Sequence, residues 1–165
     1  MSAITQGTKA PAVELPLLGG GRFSLHAAID KSAVVLVFFK VSCPVCQYAF
    51  PYYERLARAV AAKGVAVIGV SQDDEEATRK FAKSFGVTFP IALEDTRAFA
   101  VSNAYGLTNV PTMLEIAQGA TIAVSCVGWE RAAVEDVYKR YAQKEAVKPA
   151  LLFPATETVA DFKAG

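Results

Sequence analysis

The sequence predicts a single α/β domain of three layers (α/β/α), in which helices cover both faces of a mixed central sheet. Two continuous apolar runs, at 33–39 and 65–70, are rich in β-branched residues, as strands buried on both faces are. A segment with helical spacing of apolar residues follows each run, and this alternation implies parallel crossovers. A glycine turn at 118–119 joins two later strands and adds an antiparallel pair.

The first half of the chain supplies the site-bearing elements. Residues 1–30 form an N-terminal extension, in which glycines 19–21 turn the chain between two short extended pieces. The apolar run at 33–39 is the first buried strand. A helix is predicted over 44–63, because Gly64 ends a segment whose apolar residues recur at helical spacing: Val45, Ala49, Tyr52, Leu56 and Val60.

The second half completes the sheet. Acidic residues at 73–76 begin a helix that Gly86 ends, because acids are favoured at the positive end of the helix dipole. A short extended piece at 89–93 and a short helix at 96–105 follow. Strands at 112–116 and 121–127 precede a last helix around 134–141, after which Lys148 and Pro149 break the pattern. The predicted domain therefore covers 1–148, and 149–165 are a C-terminal tail.

Composition narrows the function class. The 165 residues are 53% hydrophobic and 20% charged, which is typical of a globular domain. The net charge of +1 gives no overall field that attracts nucleic acid, and no apolar run is long enough to span a bilayer. No signal peptide opens the sequence, so we expect a cytoplasmic protein, or else a mature periplasmic domain behind a new methionine.

The chemistry-bearing motif is Cys43-Pro44-Val45-Cys46, at the junction of the first buried strand and the long helix. Pro44 suits the first helical position, where its missing N–H costs nothing. The unpaired N–H groups and the helix dipole then point at the Cys43 sulfur and favour its thiolate, the form that attacks a disulfide. Cys46 lies one turn later on the same face, where it can release a mixed disulfide formed at Cys43. This chemistry needs no cofactor.

The same pair of cysteines has a second interpretation as half of a zinc site. Such a site needs two more ligands, and the chain offers only Cys126 and His26. Cys126 alternates with apolar residues on a late strand, which favours a core cysteine over a third redox thiol. Trp129 is interpreted as a packing anchor.

Several features together resemble the thioredoxin superfamily, in its TlpA/ResA-like, AhpC/TSA-related branch of thiol-disulfide oxidoreductases. The superfamily features are the strand leading into the dithiol, Pro51 within the helix, the loop 106–112 ending in Val110-Pro111-Thr112, and Gly128 after the last strand. The features of the branch are the N-terminal stretches 7–11 and 20–25 and the extra helix at 96–105. The resemblance implies a thioredoxin-like fold and a cis peptide bond before Pro111. It also implies that Val110, Pro111 and Thr112 bind an extended substrate beside catalytic Cys43 and Cys46.

Two departures from the resemblance concern the proton acceptor for Cys46. Related proteins carry an acid at the position of Val37 or at that of Ala49, and both are apolar here. Glu115 would take the proton if it faces the site, although a glutamate in such a strand is more often exposed or edge-facing. Lys40 would stabilise the Cys43 thiolate, unless it extends to solvent from the strand end. Pro44 would modulate the redox potential of the pair.

The resemblance implies protein or small-molecule disulfides and dithiols as partners, with a thioredoxin reductase or another thiol donor. One rival function is a peroxiredoxin-like peroxidase, whose Pro-x-x-x-Thr-x-x-Cys pattern fails here because Val37 and Lys40 occupy the proline and threonine positions. A second rival is a metal- or partner-binding module on the same fold. The direction of electron flow stays open.

Overall fold

A five-stranded mixed sheet forms the centre of the computed structural model, which describes residues 3–142 and 152–165. Its strand order is β5-β4-β3-β6-β7. The strands are β3 (Val34–Phe39), β4 (Ala66–Ser71), β5 (Ile91–Leu93), β6 (Thr112–Ile116) and β7 (Ile122–Val127). β3, β4 and β5 run parallel, whereas β6 pairs antiparallel with both β3 and β7. The predicted mixed three-layer fold is confirmed.

Two short antiparallel ribbons flank this sheet, and five α-helices accompany it in the described part of the chain. The ribbons pair β1 (Glu14–Pro16) with β2 (Arg22–Ser24) and β8 (Trp129–Glu130) with β9 (Phe162–Lys163). The helices are α1 (Leu25–Ile29), α2 (Pro44–Val60), α3 (Glu75–Ser84), α4 (Ala100–Ala104) and α5 (Arg131–Tyr141). A 3-10 turn, Ala61–Lys63, extends α2 to Gly64, whose φ of 75° ends it in the left-handed region.

The core is divided by the sheet into two apolar layers. Val35, Val37 and Phe39 of β3 point to one face, where they pack with residues of α2, α3 and α5. Their neighbours Val34, Leu36 and Phe38 point to the other face and meet the N-terminal extension and α1. Every residue of β3 is buried, because both faces are covered.

The structure differs from the sequence prediction at three places. The helix expected at 96–105 contains only Ala100–Ala104, since Phe99 adopts a φ of 48° that does not continue a right-handed helix. The short helix α1 was not predicted, although the Ser24 hydroxyl caps it by accepting from Ala27 N.

The third difference concerns the tail expected at 149–165. Its described part, 152–165, packs against the domain and contributes β9, with Leu152 and Phe153 buried. The predicted helix break at Lys148 and Pro149 lies outside the described residues. Among those that are described, no helix has the length and hydropathy needed to cross a membrane.

Candidate active site

Cys43 occupies the N-cap position of α2, directly after the loop that leaves β3. Its backbone is extended, with φ −79° and ψ 116°, and Pro44 takes the first helical position as predicted. The Cys43 thiol accepts a hydrogen bond from Cys46 N at 3.2 Å. A cysteine in this position takes the place of a capping oxygen, so unpaired N–H groups of the helix start point at its sulfur.

The Cys43 thiol also donates a hydrogen bond to the carbonyl oxygen of Val110, at 3.4 Å. This contact joins the start of α2 to the loop before β6. The Val110–Pro111 peptide bond is cis, as the resemblance implied. The structure therefore brings together three of the predicted site residues, Cys43, Cys46 and Val110.

Cys46 lies behind Cys43, with no exposed surface, in the core layer between α2 and the sheet. Burial raises the pKa of its thiol, and the hydrogen bond with Cys43 and the negative charges of Cys43 and Asp73 act in the same direction. A hydrogen bond with the Lys40 backbone acts in the opposite direction. Both cysteines are free thiols, so the structure shows the reduced pair.

The loop before β6 is held by hydrogen bonds at both ends. The Thr112 hydroxyl donates to the Asn109 carbonyl at 2.8 Å, and Gly128 N donates to the Pro111 carbonyl at 2.7 Å. The direct substrate contact expected of Thr112 needs correction, because this residue has no exposed surface. Pro111 is buried as well, which leaves Val110 as the partly exposed residue of the three. Thr112 fixes the loop on which a substrate would bind.

Asp73 lies beside the dithiol, although its sequence position predicted only the start of a helix. Its carboxylate accepts a hydrogen bond from Val41 N at 2.8 Å, two residues before Cys43. The Gln47 side chain donates to the Val41 carbonyl at 2.9 Å, so both polar backbone groups of Val41 are bound by side chains. β4 runs parallel to β3 and ends beside it, and the position of Asp73 just after a buried strand was the available signal.

Glu115 does not have the surroundings expected of a proton acceptor for Cys46. Its buried carboxylate accepts hydrogen bonds from the Tyr141 hydroxyl at 2.5 Å and from Arg140 Nε at 3.2 Å. Both donors belong to the last turn of α5, and none of the contacts that the structure gives Glu115 reaches the dithiol. Glu115 pairs with Val35 on β3, four residues before the exit from that strand. In the structure, the Glu115 side chain connects β6 to α5 through these hydrogen bonds.

Lys40 is exposed at the end of β3, and within the described residues its side chain makes no hydrogen bond or ion pair with Cys43 that would stabilise the thiolate as expected. Lys40 instead borders an open cavity of about 280 Å³ beside the loop before β6. The cavity is lined by Lys40, Gln72, Leu107, Thr108, Asn109 and Val110. Val37 and Ala49, which occupy the positions where related proteins carry an acid, are fully buried in the apolar layer around α2. Neither position therefore supplies a proton acceptor for Cys46.

The zinc interpretation finds no support in the described geometry. Residues 3–142 and 152–165 contain no group of three or more His, Cys, Asp or Glu side chains placed to hold a metal. Cys126 is a core residue on β7, and burial raises its pKa to about 12. Trp129 is fully buried and donates from Nε1 to the Ala160 carbonyl, so its predicted role as a packing anchor is confirmed.

The amino-acid sequence is similar to those of known redox proteins. The thiol-disulfide oxidoreductase ResA of Bacillus subtilis is 32% identical over 111 residues, which is 67% of this chain and 60% of ResA. A Mycobacterium tuberculosis protein provisionally named a peroxiredoxin is 31% identical over 105 residues, or 62% of this chain and 66% of that protein. The chain thus spans about 60% of the length of the curated ResA proteins that it matches.

Solved structures show the same fold. The thioredoxin domain of a thiol-disulfide oxidoreductase from Bacteroides vulgatus superposes with a TM-score of 0.75 at 20% identity, over 85% of this chain and 99% of that domain. A family model described as the AhpC/TSA family matches residues 6–125, from the N-terminal extension into β7 and across the dithiol and Pro111. The chain therefore belongs to the AhpC/TSA family, and its fold is that of thioredoxin.

Proposed function

We propose that this protein is a thiol-disulfide oxidoreductase that exchanges electrons with disulfide substrates through Cys43 and Cys46. The observation that carries the proposal is the position of the Cys43 sulfur. It lies between the start of α2 and the Val110 carbonyl, with the buried Cys46 one helical turn behind it. The ResA relatives, at 29% to 33% identity, support the same reaction.

In the reducing direction, the Cys43 thiolate attacks one sulfur of the substrate disulfide. A bond forms between Cys43 and that sulfur, the substrate S–S bond breaks, and the second substrate sulfur leaves as a thiolate that takes a proton. Cys46 then loses its proton and attacks the Cys43 sulfur. This step forms the Cys43–Cys46 disulfide and releases the first substrate sulfur, so two electrons pass to the substrate. The same steps in reverse oxidise a substrate dithiol.

The raised pKa of Cys46 supports this order of attack. In the resting dithiol, burial and contact with Cys43 hold Cys46 as a thiol, which is a poor nucleophile. When the Cys43 thiolate becomes part of the mixed disulfide, its negative charge is lost and its hydrogen bond with Cys46 is altered. Two of the causes that raise the Cys46 pKa therefore weaken at the step in which the Cys46 thiolate is needed.

The Val110 loop, on which Val110 is partly exposed, suits an extended polypeptide segment. A substrate strand would pair with backbone groups there, as in recognition by β-strand addition. We propose protein disulfides or dithiols as the substrates, and a thioredoxin reductase or another thiol donor as the source of electrons. Lys40 at the rim of the adjacent cavity would favour a substrate with an acidic residue near its disulfide.

The test uses single-cysteine variants and a protein disulfide such as insulin. We expect the wild-type protein to reduce insulin with a dithiol donor, and both Cys43→Ser and Cys46→Ser to lose turnover. Cys46→Ser should accumulate a mixed disulfide at Cys43, whereas Cys43→Ser should not. Cys126→Ser is the matched control and should retain turnover. Loss of turnover in the control alone, or equal trapping by both active-site variants, would contradict the proposal.

A second candidate function is a thiol peroxidase, which the family match and the peroxiredoxin-named relative favour. The missing Thr and Pro, at Lys40 and Val37, argue against it. Peroxide consumption by Cys46→Ser at the wild-type rate would support the peroxidase, because Cys43 alone reduces the peroxide and an external thiol resolves it. Dependence of all turnover on Cys46 supports the oxidoreductase.

A further inference from the structure

We infer that residues 161–165, called here the strap, cover the substrate-binding edge of the Val110 loop, and that a protein substrate must displace them. This inference rests on the proposed oxidoreductase function. The inference gives a role to the last residues of the predicted tail. These residues take no part in the thiol-disulfide exchange itself. The strap would slow reaction with polypeptide disulfides and leave small disulfides free to reach Cys43.

The strap begins as a strand paired beside the end of the sheet. Its residues Phe162 and Lys163 pair antiparallel with Glu130 and Trp129. Arg131 N donates to the Asp161 carbonyl at 2.9 Å, which continues this ribbon by one hydrogen bond. The strap is therefore held near the site by pairing with β8, in the same way as an added peptide strand would be held.

A separate set of contacts anchors the residues that precede the strap. Ala160 accepts from Trp129 Nε1 at 2.7 Å and donates from its N–H to the Tyr48 hydroxyl at 2.9 Å. Arg55 forms a two-pronged ion pair with Glu157, both N–O distances being 2.8 Å. These anchors fix the point from which the strap extends toward the dithiol.

A close backbone approach brings the strap to Val110. A Cβ on Gly165 would lie 2.5 Å from the Val110 carbonyl oxygen and 3.2 Å from Asn109 Cβ, so only glycine fits there. The Asn109 side chain donates to the Gly165 carbonyl at 3.0 Å. Gly165 and the Cys43 sulfur thus contact the same carbonyl oxygen, and a substrate strand at Val110 would occupy the space that Gly165 fills.

The strap also has the features of a segment that opens at low cost. Four of its five residues are exposed, and Phe162 shows 58% of its surface to solvent. The preceding anchor residues Leu152 and Phe153 are buried by contrast. Segments with few buried apolar contacts open with free energies far below that of global unfolding. A closed majority then reduces the apparent affinity for substrate by the fraction that is open.

The test compares two strap variants and a control. The first variant ends the chain after Ala160, which removes the strap and keeps the bonds of Ala160 with Trp129 and Tyr48. The second is Gly165→Ala, whose Cβ cannot coexist with the present position of the Val110 carbonyl. The control is Phe162→Ala, which removes an exposed side chain and keeps the ribbon backbone. Fluorescence of Trp129, the only tryptophan, checks that the anchor region stays folded.

Each protein is assayed with insulin and with a small aromatic disulfide. We expect truncation to raise kcat/KM for insulin by about tenfold, and Gly165→Ala to raise it by a smaller factor. The rate with the small disulfide should change less than about twofold, and Phe162→Ala should match the wild type with both substrates. The inferred role of the strap would be overturned if truncation left kcat/KM for insulin unchanged or lowered it. It would also be overturned if truncation raised kcat/KM equally for both disulfides. Absence of turnover in the wild type with either substrate would instead overturn the proposed function.

Discussion

The Cys43 thiol and the Val110 carbonyl, 67 residues apart in sequence, share a hydrogen bond of 3.4 Å. This bond places the nucleophile at the loop that would hold a substrate strand. Gly165 reaches the same carbonyl from the strap. If the proposed function holds, the attacking sulfur and the strap therefore both contact the oxygen at which a substrate strand would bind.

The three cysteines should differ sharply in their rate of alkylation. Cys43 is partly exposed at the start of α2, whereas Cys46 and Cys126 are buried and have raised pKa values. Because the thiolate is the reactive form, iodoacetamide at pH 7 should modify Cys43 at least about tenfold faster than the other two. Mass spectrometry of peptides over time measures the order. Equal rates at Cys43 and Cys46 would contradict the proposed division of roles.

Asp73→Asn should alter the pH dependence of the second step. The Asp73 charge contributes to raising the Cys46 pKa, so its removal lowers that pKa, while the amide oxygen can still accept from Val41 N. Release of substrate from the mixed disulfide should then accelerate at lower pH than in the wild type, as stopped-flow measurements would show. Asp74→Asn, at the exposed N-cap of α3, is the control. A slower release in Asp73→Asn would identify Asp73 as a proton acceptor instead.

Thr112→Val should weaken substrate binding through the loop. The substitution keeps the volume of the side chain and removes the hydrogen bond to the Asn109 carbonyl. We expect a stability loss of about 1 kcal/mol and a higher KM for a protein disulfide, with kcat less affected. Denaturant unfolding and steady-state kinetics measure the two effects, and Thr112→Ser should restore both. A changed kcat with unchanged KM would argue against a positioning role.

Glu115→Gln should reduce stability without slowing thiol exchange. The fully buried carboxylate accepts from Tyr141 and Arg140, and an amide offers one acceptor oxygen in place of two. The free energy of unfolding should fall by about 1–3 kcal/mol. Turnover should stay within about twofold of the wild type, because these contacts lie at α5. Loss of turnover in a variant that still folds would instead support Glu115 as the proton acceptor for Cys46.

Stability of the reduced protein should fall at alkaline pH. The Cys126 pKa is raised by burial from 9.0 to about 12, and burial is the first cause of the raised Cys46 pKa as well. Between pH 9 and 12 the unfolded chain therefore loses thiol protons that the folded chain keeps. Each such proton lowers the free energy of unfolding by about 1.4 kcal/mol per pH unit in that range, with no change below about pH 8. Urea unfolding across this range measures the slope, which should be smaller in Cys126→Ala.

Much of the site could be predicted because its parts are local in sequence. A proline after Cys43 and a helical period after it were enough to place the sulfur at a helix start, and Cys46 one turn behind follows from helix geometry alone. The cis bond at Pro111 followed from the family resemblance. Glu115 was harder, because its partners Arg140 and Tyr141 lie on another element and are set by packing. Thr112 was harder because its complete burial, unlike its local bond to Asn109, is decided by packing.

The sequence by itself determined the buried strands, the dithiol at the start of a long helix and the proline loop, since each depends on short-range periodicity and backbone chemistry. Only the tertiary structure decided that Asp73 would hold the β3–α2 loop and that the strap would end against Val110. These contacts join segments far apart in the chain, where the register of strands and the close approach of backbones choose the partners. No local pattern in residues 161–165 indicates that contact, because its partners, β8 and the Val110 loop, come together only after the sheet has formed.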